Sequence, residues 1–271
     1  MKTLYLSDLD GTLLRSDERV SEYTARVINR FVESGGCFSY ATARSLVTAV
    51  KATVGLTAKF PVICYNGAFT FENGTGKIIA SHFFAREEAK TIIEVLTRLK
   101  ISPIVYAFID GKECFSFIPT DANAGTQFFL DSRLGDPRRR GVSNREELFR
   151  GEIFYFSCIG GEERLAAANE ILRTDARVKC IYSTDIYSGE QWLELLPAKA
   201  TKAAAALDLK NLLNYYRLVV FGDGRNDLDL FAVADESYAT ANAVPELKKI
   251  ATGIIGSNDD DGVAKWIEAN V

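Results

Sequence analysis

The sequence holds a single histidine, His82, among 271 residues. One imidazole cannot build a His-based catalytic triad or a histidine zinc site, and its place after a hairpin pattern reads as surface. The cysteines Cys37, Cys64, Cys114, Cys158 and Cys180 are odd in number, widely spaced and without a CxxC pair. That pattern speaks against a disulfide framework or a zinc site and fits reduced, mostly buried thiols in a cytoplasm. No apolar run approaches the ~20 residues that span a bilayer. Met1–Asp10 reaches carboxylates too early to form the apolar region of an export signal. Nor is positive charge in excess: Lys plus Arg number 32 against 36 Asp plus Glu, a net charge of -4. Nothing there neutralises a nucleic-acid backbone or an anionic membrane. The expected partner is therefore a small molecule, with no nucleic acid and no membrane, and the chain a monomer or small homo-oligomer.

What is present is ordinary for a globular chain: 47% hydrophobic and 25% charged residues. The length points to one large or two modest domains. Four apolar runs each stop at a small or polar cluster. Thr3–Ser7 stops at Asp8, Cys37–Tyr40 at Ala41-Thr42-Ala43-Arg44, Pro61–Tyr65 at Asn66-Gly67, and Leu218–Phe221 at Gly222-Asp223. Between the first two, Ser21 can cap a helix with Tyr23, Val27, Ile28 and Phe31 on one face, ended by Gly35-Gly36. Leu46, Val47, Val50 and Val54 mark a second helix. Near-continuous apolar strands joined by helices read as a parallel sheet buried on both faces. Such sheets bind ligands at the carboxyl edge, which places Asp8, Thr42, Asn66 and Asp223 together.

The middle follows another pattern. Phe69–Glu72 and Lys77–Ile79 flank Asn73-Gly74-Thr75-Gly76, a hairpin signal. A helix from Arg86 to Lys100 precedes strands Ile104–Phe108 and Cys114–Ile118 around Asp110-Gly111. Strand Ile153–Cys158 and helix Glu162–Arg173 then precede strands Val178–Tyr182 and Gln191–Leu196. Helix-strand-strand thus occurs twice, as in an inserted α+β unit. Asp131–Glu147, with Arg138-Arg139-Arg140, reads as a loop. Trp192 and Tyr187 read as packing residues.

Asp8 and Asp10, two positions apart at a strand end, repel one another and lose hydration, a conflict that a cation resolves. Asp223 and Asp227 form a second acidic cluster after another buried strand. Hard oxygen donors without His or Cys point to Mg2+.

In these residues the chain resembles the haloacid dehalogenase superfamily of phosphohydrolases, and within it the Cof-type, subfamily IIB phosphatases with a C2B cap. The family's DxDGT motif is Asp8-Leu9-Asp10-Gly11-Thr12. Its ATGR phrase is Ala41-Thr42-Ala43-Arg44, with Ala43 for the usual glycine. Leu193-Glu194-Leu195-Leu196-Pro197 precedes the motif lysine, for which the spacing selects Lys202 over Lys199. Gly222–Asp227 is its GDxxND, and Asn66-Gly67-Ala68 its Asn-Gly-Ala phrase. These motifs span essentially the whole chain.

The resemblance implies an α/β fold: a Rossmann-like parallel-sheet core from residues 1–84 and 191–271, with an inserted α+β cap over 85–190. It implies a Mg2+-dependent phosphomonoester hydrolase acting on a small phosphorylated metabolite, a sugar phosphate being the favoured class. Asp8 would be the nucleophile that forms an aspartyl-phosphate, Asp10 the general acid and base, and Lys202 the cation at the reacting oxygens. Asp8, the Asp10 main-chain carbonyl and Asp223 would hold Mg2+. Thr42, Lys202, Asn226 and the backbone N–H groups of Leu9 and Ala43 would hold phosphate, and Asn226 and Asp227 would position the lysine or metal waters. Arg44, Asn66 and Gly67 would meet substrate, although Asn66 reads equally as capping its own turn. A phosphomutase of the phosphomannomutase type is the alternative.

Overall fold

Leu4 and Leu6 are fully buried in the computed structural model, which describes residues 2–57, 60–184 and 189–271. They lie on β1 (Thr3–Ser7), an interior strand. Helix α1 (Glu22–Glu33) follows, started by Ser21, whose side chain accepts from the Thr24 N–H. Next come β2 (Cys37–Tyr40) and the short helix α2 (Leu46–Ala52), capped by Ser45. The strands β3 (Val62–Cys64), β4 (Phe69–Phe71) and β5 (Ile78–Ser81) form their own antiparallel sheet in the order β3-β4-β5. The third apolar run therefore differs from expectation. It meets β2's continuation through a parallel bridge from Ala41 to Ile63, while its ladder is the antiparallel one with β4.

The chain divides into two compact units, residues 1–81 with 200–271, and residues 82–199. The second contains α3 (Arg86–Arg98), β6 (Ile104–Ile109), β7 (Lys112–Phe117), α4 (Ala124–Asp131), β8 (Arg139–Gly141) and α5 (Arg145–Leu148). After these come β9 (Glu152–Gly160), α6 (Glu162–Leu172), β10 (Val178–Thr184) and β11 (Gln191–Pro197). Its sheet runs β10-β11-β9-β6-β7-β8. Ile92 and Leu96 of α3 and Leu165 and Leu172 of α6 bury against Val105, Phe156, Leu193 and Leu195.

Two expectations are corrected here. The return to the first unit does not fall at residue 191. β11 is hydrogen-bonded on both sides, to β10 and β9, and inserts Leu193 and Leu195 into the second unit's core. Nor is 131–147 a plain loop, since β8 pairs parallel with β7 and Asn144 caps α5. Its arginines are used internally. Arg138, 8% exposed, pairs with Glu113 at 2.6 Å and Asp136 at 2.7 Å. Arg140 donates to the Glu147 carbonyl at 2.7 Å. Trp192 packs edge-on against Phe129, with ring centroids 5.5 Å apart. Tyr187 lies outside the described residues.

The first unit resumes with α7 (Lys202–Leu212), β12 (Arg217–Gly222), α8 (Leu228–Val233), β13 (Glu236–Thr240), α9 (Pro245–Ile250), β14 (Gly253–Ile255) and α10 (Gly262–Asn270). Its main sheet is parallel in the order β14-β13-β12-β1-β2. Leu4, Leu6, Leu218 and Val220 pack with Ala206 and Leu209 of α7, Phe231 of α8 and Leu247 of α9. On the opposite face Tyr5, Phe221 and Tyr238 surround Trp266 of α10. Both faces are covered, which explains why these strands read as unbroken apolar runs. Among the described residues no helix is long and apolar enough to cross a membrane.

Candidate active site

β1 and β12 are adjacent and parallel, with Ser7 opposite Phe221, so the residues that follow them leave the sheet side by side. The Asp8 N–H donates to the Phe221 carbonyl at 2.9 Å, and the carboxylate of Asp8 stands at the sheet's carboxyl edge, 5% exposed. Carboxylate oxygens of Asp8, Asp223 and Asp227 lie within 4.8 Å of one another.

Lys202 enters this cluster from the first turn of α7. Its Nζ is 2.9 Å from Asp8 Oδ1 and 2.8 Å from Asp227 Oδ1, with the ammonium buried. Lys199, the other lysine of the phrase, is exposed. The start of α7 is fixed by Thr201, which accepts from the Ala204 N–H. Gly67 lies against the same residue: a Cβ there would fall 2.2 Å from the Thr201 carbonyl oxygen, and its φ is +102°. Gly67 thus lets the start of the lysine helix approach closely.

Asp227 is completely buried, and its second oxygen accepts from the N–H groups of Asp223 and Gly224, each at 3.1 Å. It anchors both the lysine and the turn that carries Asp223. Thr12 donates to Asp223 Oδ1 at 2.8 Å. Sequence reasoning did not assign Thr12, although its place in the first acidic motif was the available signal. Asn226 is exposed on its turn, with its Oδ1 lying close to Gly224.

Asp8 Oδ1 also accepts from the Leu9 N–H at 2.7 Å. Lysine and amide therefore hold the same oxygen, and Oδ2 is held by neither. Thr42 is fully buried and accepts from the Arg44 N–H at 3.0 Å, which leaves its hydroxyl proton to donate elsewhere. Ala43 is exposed and keeps a negative φ, so its methyl is tolerated. Asn66 is 4% exposed with φ +52°; its N–H donates to the Thr42 carbonyl, and its side-chain Oδ1 is buried without a partner. The side chain of Asp10 is half exposed and pairs with Arg44 at 2.5 Å, and Arg44 also pairs with Glu18 at 2.7 Å.

The buried cluster sets three carboxylates against one ammonium. Burial pushes Asp8 well above the ordinary carboxylate range, against the pull of Lys202. Burial likewise pushes Asp223 up to about 6, partly opposed by its bond from Thr12. Burial alone would lower Lys202, but Asp227 and Asp8 outweigh it and hold the ammonium charged. The uncompensated charge is negative and the donors are hard oxygens. The residues present fit a divalent cation of the Mg2+ kind.

The family model described as haloacid dehalogenase-like hydrolase matches residues 5–267. A 5-amino-6-(5-phospho-D-ribitylamino)uracil phosphatase of Bacillus subtilis is 27% identical over 280 residues, covering 96% of this chain and 95% of its own. A crystal structure of a Thermotoga maritima protein superposes with a TM-score of 0.81 at 28% identity, covering 100% of this chain and 98% of its own. Another solved structure, a subclass IIB sugar phosphatase, has a TM-score of 0.75 at 19% identity over 99% of this chain and 98% of its own.

Proposed function

The chain belongs to the haloacid dehalogenase-like hydrolase family, and on that premise we propose that it is a Mg2+-dependent phosphomonoester hydrolase working through an aspartyl-phosphate on Asp8. The observation that carries this reading is the buried cluster of Asp8, Lys202, Asp227 and Asp223 at the sheet's carboxyl edge.

Lys202 and the Leu9 N–H hold Oδ1 of Asp8, so Oδ2 is the oxygen available to attack phosphorus. Attack forms the Asp8–phosphorus bond and breaks the bond to the leaving alcohol. The Lys202 ammonium, bonded to Asp8, and the Thr42 hydroxyl would neutralise charge on the transferring oxygens. Asp10 protonates the leaving alcohol and then accepts a proton from the water that cleaves the acyl-phosphate. Asp8, Asp223 and the Asp10 carbonyl would hold Mg2+, with Asp227 kept for Lys202 and the amides. The ion supplies charge neutralisation between carboxylate and phosphate.

The substrate is a small phosphorylated metabolite, and a sugar-phosphate-like compound is the class we favour. The name of the Bacillus subtilis relative, a phosphatase of a phosphoribityl compound, supports that class. Its being a phosphatase also favours hydrolysis over phosphoryl migration. We place the enzyme in the cytoplasm, without nucleic-acid or membrane partners, in keeping with cysteines that form no disulfide among the described residues and a net charge of -4.

Release of phosphate from p-nitrophenyl phosphate tests the reading. It should require Mg2+ and vanish in Asp8→Asn. Unchanged turnover in that variant would remove the nucleophile. A panel of phosphorylated metabolites ranked by kcat/KM then identifies the substrate.

A further inference from the structure

We propose that Arg44, braced by Glu18, is a positioning residue that keeps Asp10 in a resting arrangement, from which the arriving phosphate releases it. The inference rests on the reading above, in which Asp10 exchanges a proton with the leaving alcohol.

Arg44 Nε lies 2.8 Å from Asp10 Oδ2 and 3.1 Å from Oδ1, and Nη2 lies 2.5 Å from Oδ1. One guanidinium therefore occupies both carboxyl oxygens in the two-pronged geometry that arginine favours. A leaving alcohol needs one of those oxygens for its own proton. The pair has to open at one prong before the proton can pass.

The guanidinium has a second acceptor within reach. Glu18 Oε2 holds the same Nη2 at 2.7 Å. Glu18 sits at φ +59° in a turn closed by Glu18 N–H to the Arg15 carbonyl at 2.9 Å and Arg15 N–H to the Arg19 carbonyl at 3.0 Å. The turn is fixed in turn by Arg15, which pairs with Asp261. Glu18 is thus presented by a braced segment rather than a free side chain.

Arg44 also adjoins the place where phosphate is expected. Its backbone N–H donates to Thr42 Oγ1, the hydroxyl read above as a phosphate donor. A phosphate dianion there competes with Asp10 for the guanidinium. Arg44 itself lines an open groove of about 420 Å³, with Ser16, Glu18, Arg19, Thr48 and Lys51, which gives the side chain room to turn. As Arg44 leaves Asp10, Glu18 retains it beside the site.

The test compares substrates by leaving group. An alkyl phosphate needs its leaving oxygen protonated, whereas p-nitrophenolate leaves without that help. Asp10→Asn is the reference and should lower kcat for the alkyl phosphate roughly a hundredfold or more, with a far smaller loss on p-nitrophenyl phosphate. Without Glu18's pull, Arg44 stays on Asp10 for more of the time. Glu18→Gln should then lower kcat for the alkyl phosphate about threefold to tenfold, with KM unchanged and p-nitrophenyl phosphate turnover within about twofold. Equal losses on both substrates, or none, would overturn the proposal while leaving the role of Asp10 standing. An Asp10→Asn variant without leaving-group selectivity would overturn both. A crystal structure of Asp8→Asn with Mg2+ and inorganic phosphate gives an independent reading. Arg44 should be off Asp10 and still bonded to Glu18; a two-pronged pair that persists beside bound phosphate would contradict the proposal.

Discussion

Gly11 and Asp223 come from opposite ends of the chain and leave no space between them: a Cβ on Gly11 would fall 2.3 Å from Asp223 Oδ2. Gly11 also holds φ +72°, where a side chain is strained. The turn after the nucleophile is thereby packed directly on a carboxylate of the acidic cluster. Gly11→Ala should displace Asp223, destabilise the protein by about 1–3 kcal/mol and weaken Mg2+ dependence of activity. Urea unfolding and a Mg2+ titration of turnover check both parts. A variant with unaltered metal dependence would show that the contact is not needed at the site.

Lys202 is the sole cation bonded to Asp8 and Asp227 among the described residues. Lys202→Met leaves two buried carboxylates facing each other. Removing one partner of a buried pair costs about 3–5 kcal/mol, so a large drop in the urea midpoint is expected along with loss of turnover. Lys202→Arg keeps the charge but needs more volume where the lysine is 3% exposed, and should not restore activity.

The folded-state pKa of Asp223 is raised to about 6 by burial, above the value of an unfolded carboxylate. Between the two values the native state holds more protons than the unfolded chain. This group's contribution is therefore full below the unfolded pKa and is lost as pH rises through about 6. In EDTA, the Tm of wild type relative to Asp223→Asn should fall as pH rises from the ordinary carboxylate range to neutrality. Mg2+ should recover the loss at neutral pH in wild type and not in Asp223→Asn. A difference in Tm that stays flat across the window would contradict the assignment.

Arg138 is expected to matter for folding and not for substrate. It is buried between Glu113 and Asp136. Arg138→Ala strands both carboxylates and should cost about 3 kcal/mol, read by chemical denaturation, while KM of the folded enzyme stays unchanged. A raised KM with unaltered stability would contradict that expectation.

Much of the site's placement was legible because one rule governs it. Parallel strands share a carboxyl edge, so Asp8 and Asp223 were expected together once their apolar runs were read as strands of one parallel sheet, and the structure makes those strands adjacent. Lys202 was separable from Lys199 by spacing, and its burial against an exposed Lys199 agrees with that choice. What escaped the sequence were relations between side chains distant in the chain. Nothing local says that Asp227 feeds Lys202 and two amides at once, or that Gly67 yields to the Thr201 carbonyl. Glu18 gave no signal because its turn has no periodicity to read. β11 was ambiguous for a different reason. An alternating apolar strand suits either sheet, and only its two antiparallel ladders assign it to the second unit.

The most direct measurement is to acid-quench the enzyme during turnover of a slow substrate with Mg2+ and map the phosphorylated peptide. The account predicts one phosphoryl group on the peptide that contains Asp8, absent in Asp8→Asn and absent when Mg2+ is withheld. A phosphoryl group on any other side chain, or full turnover by Asp8→Asn, would contradict it.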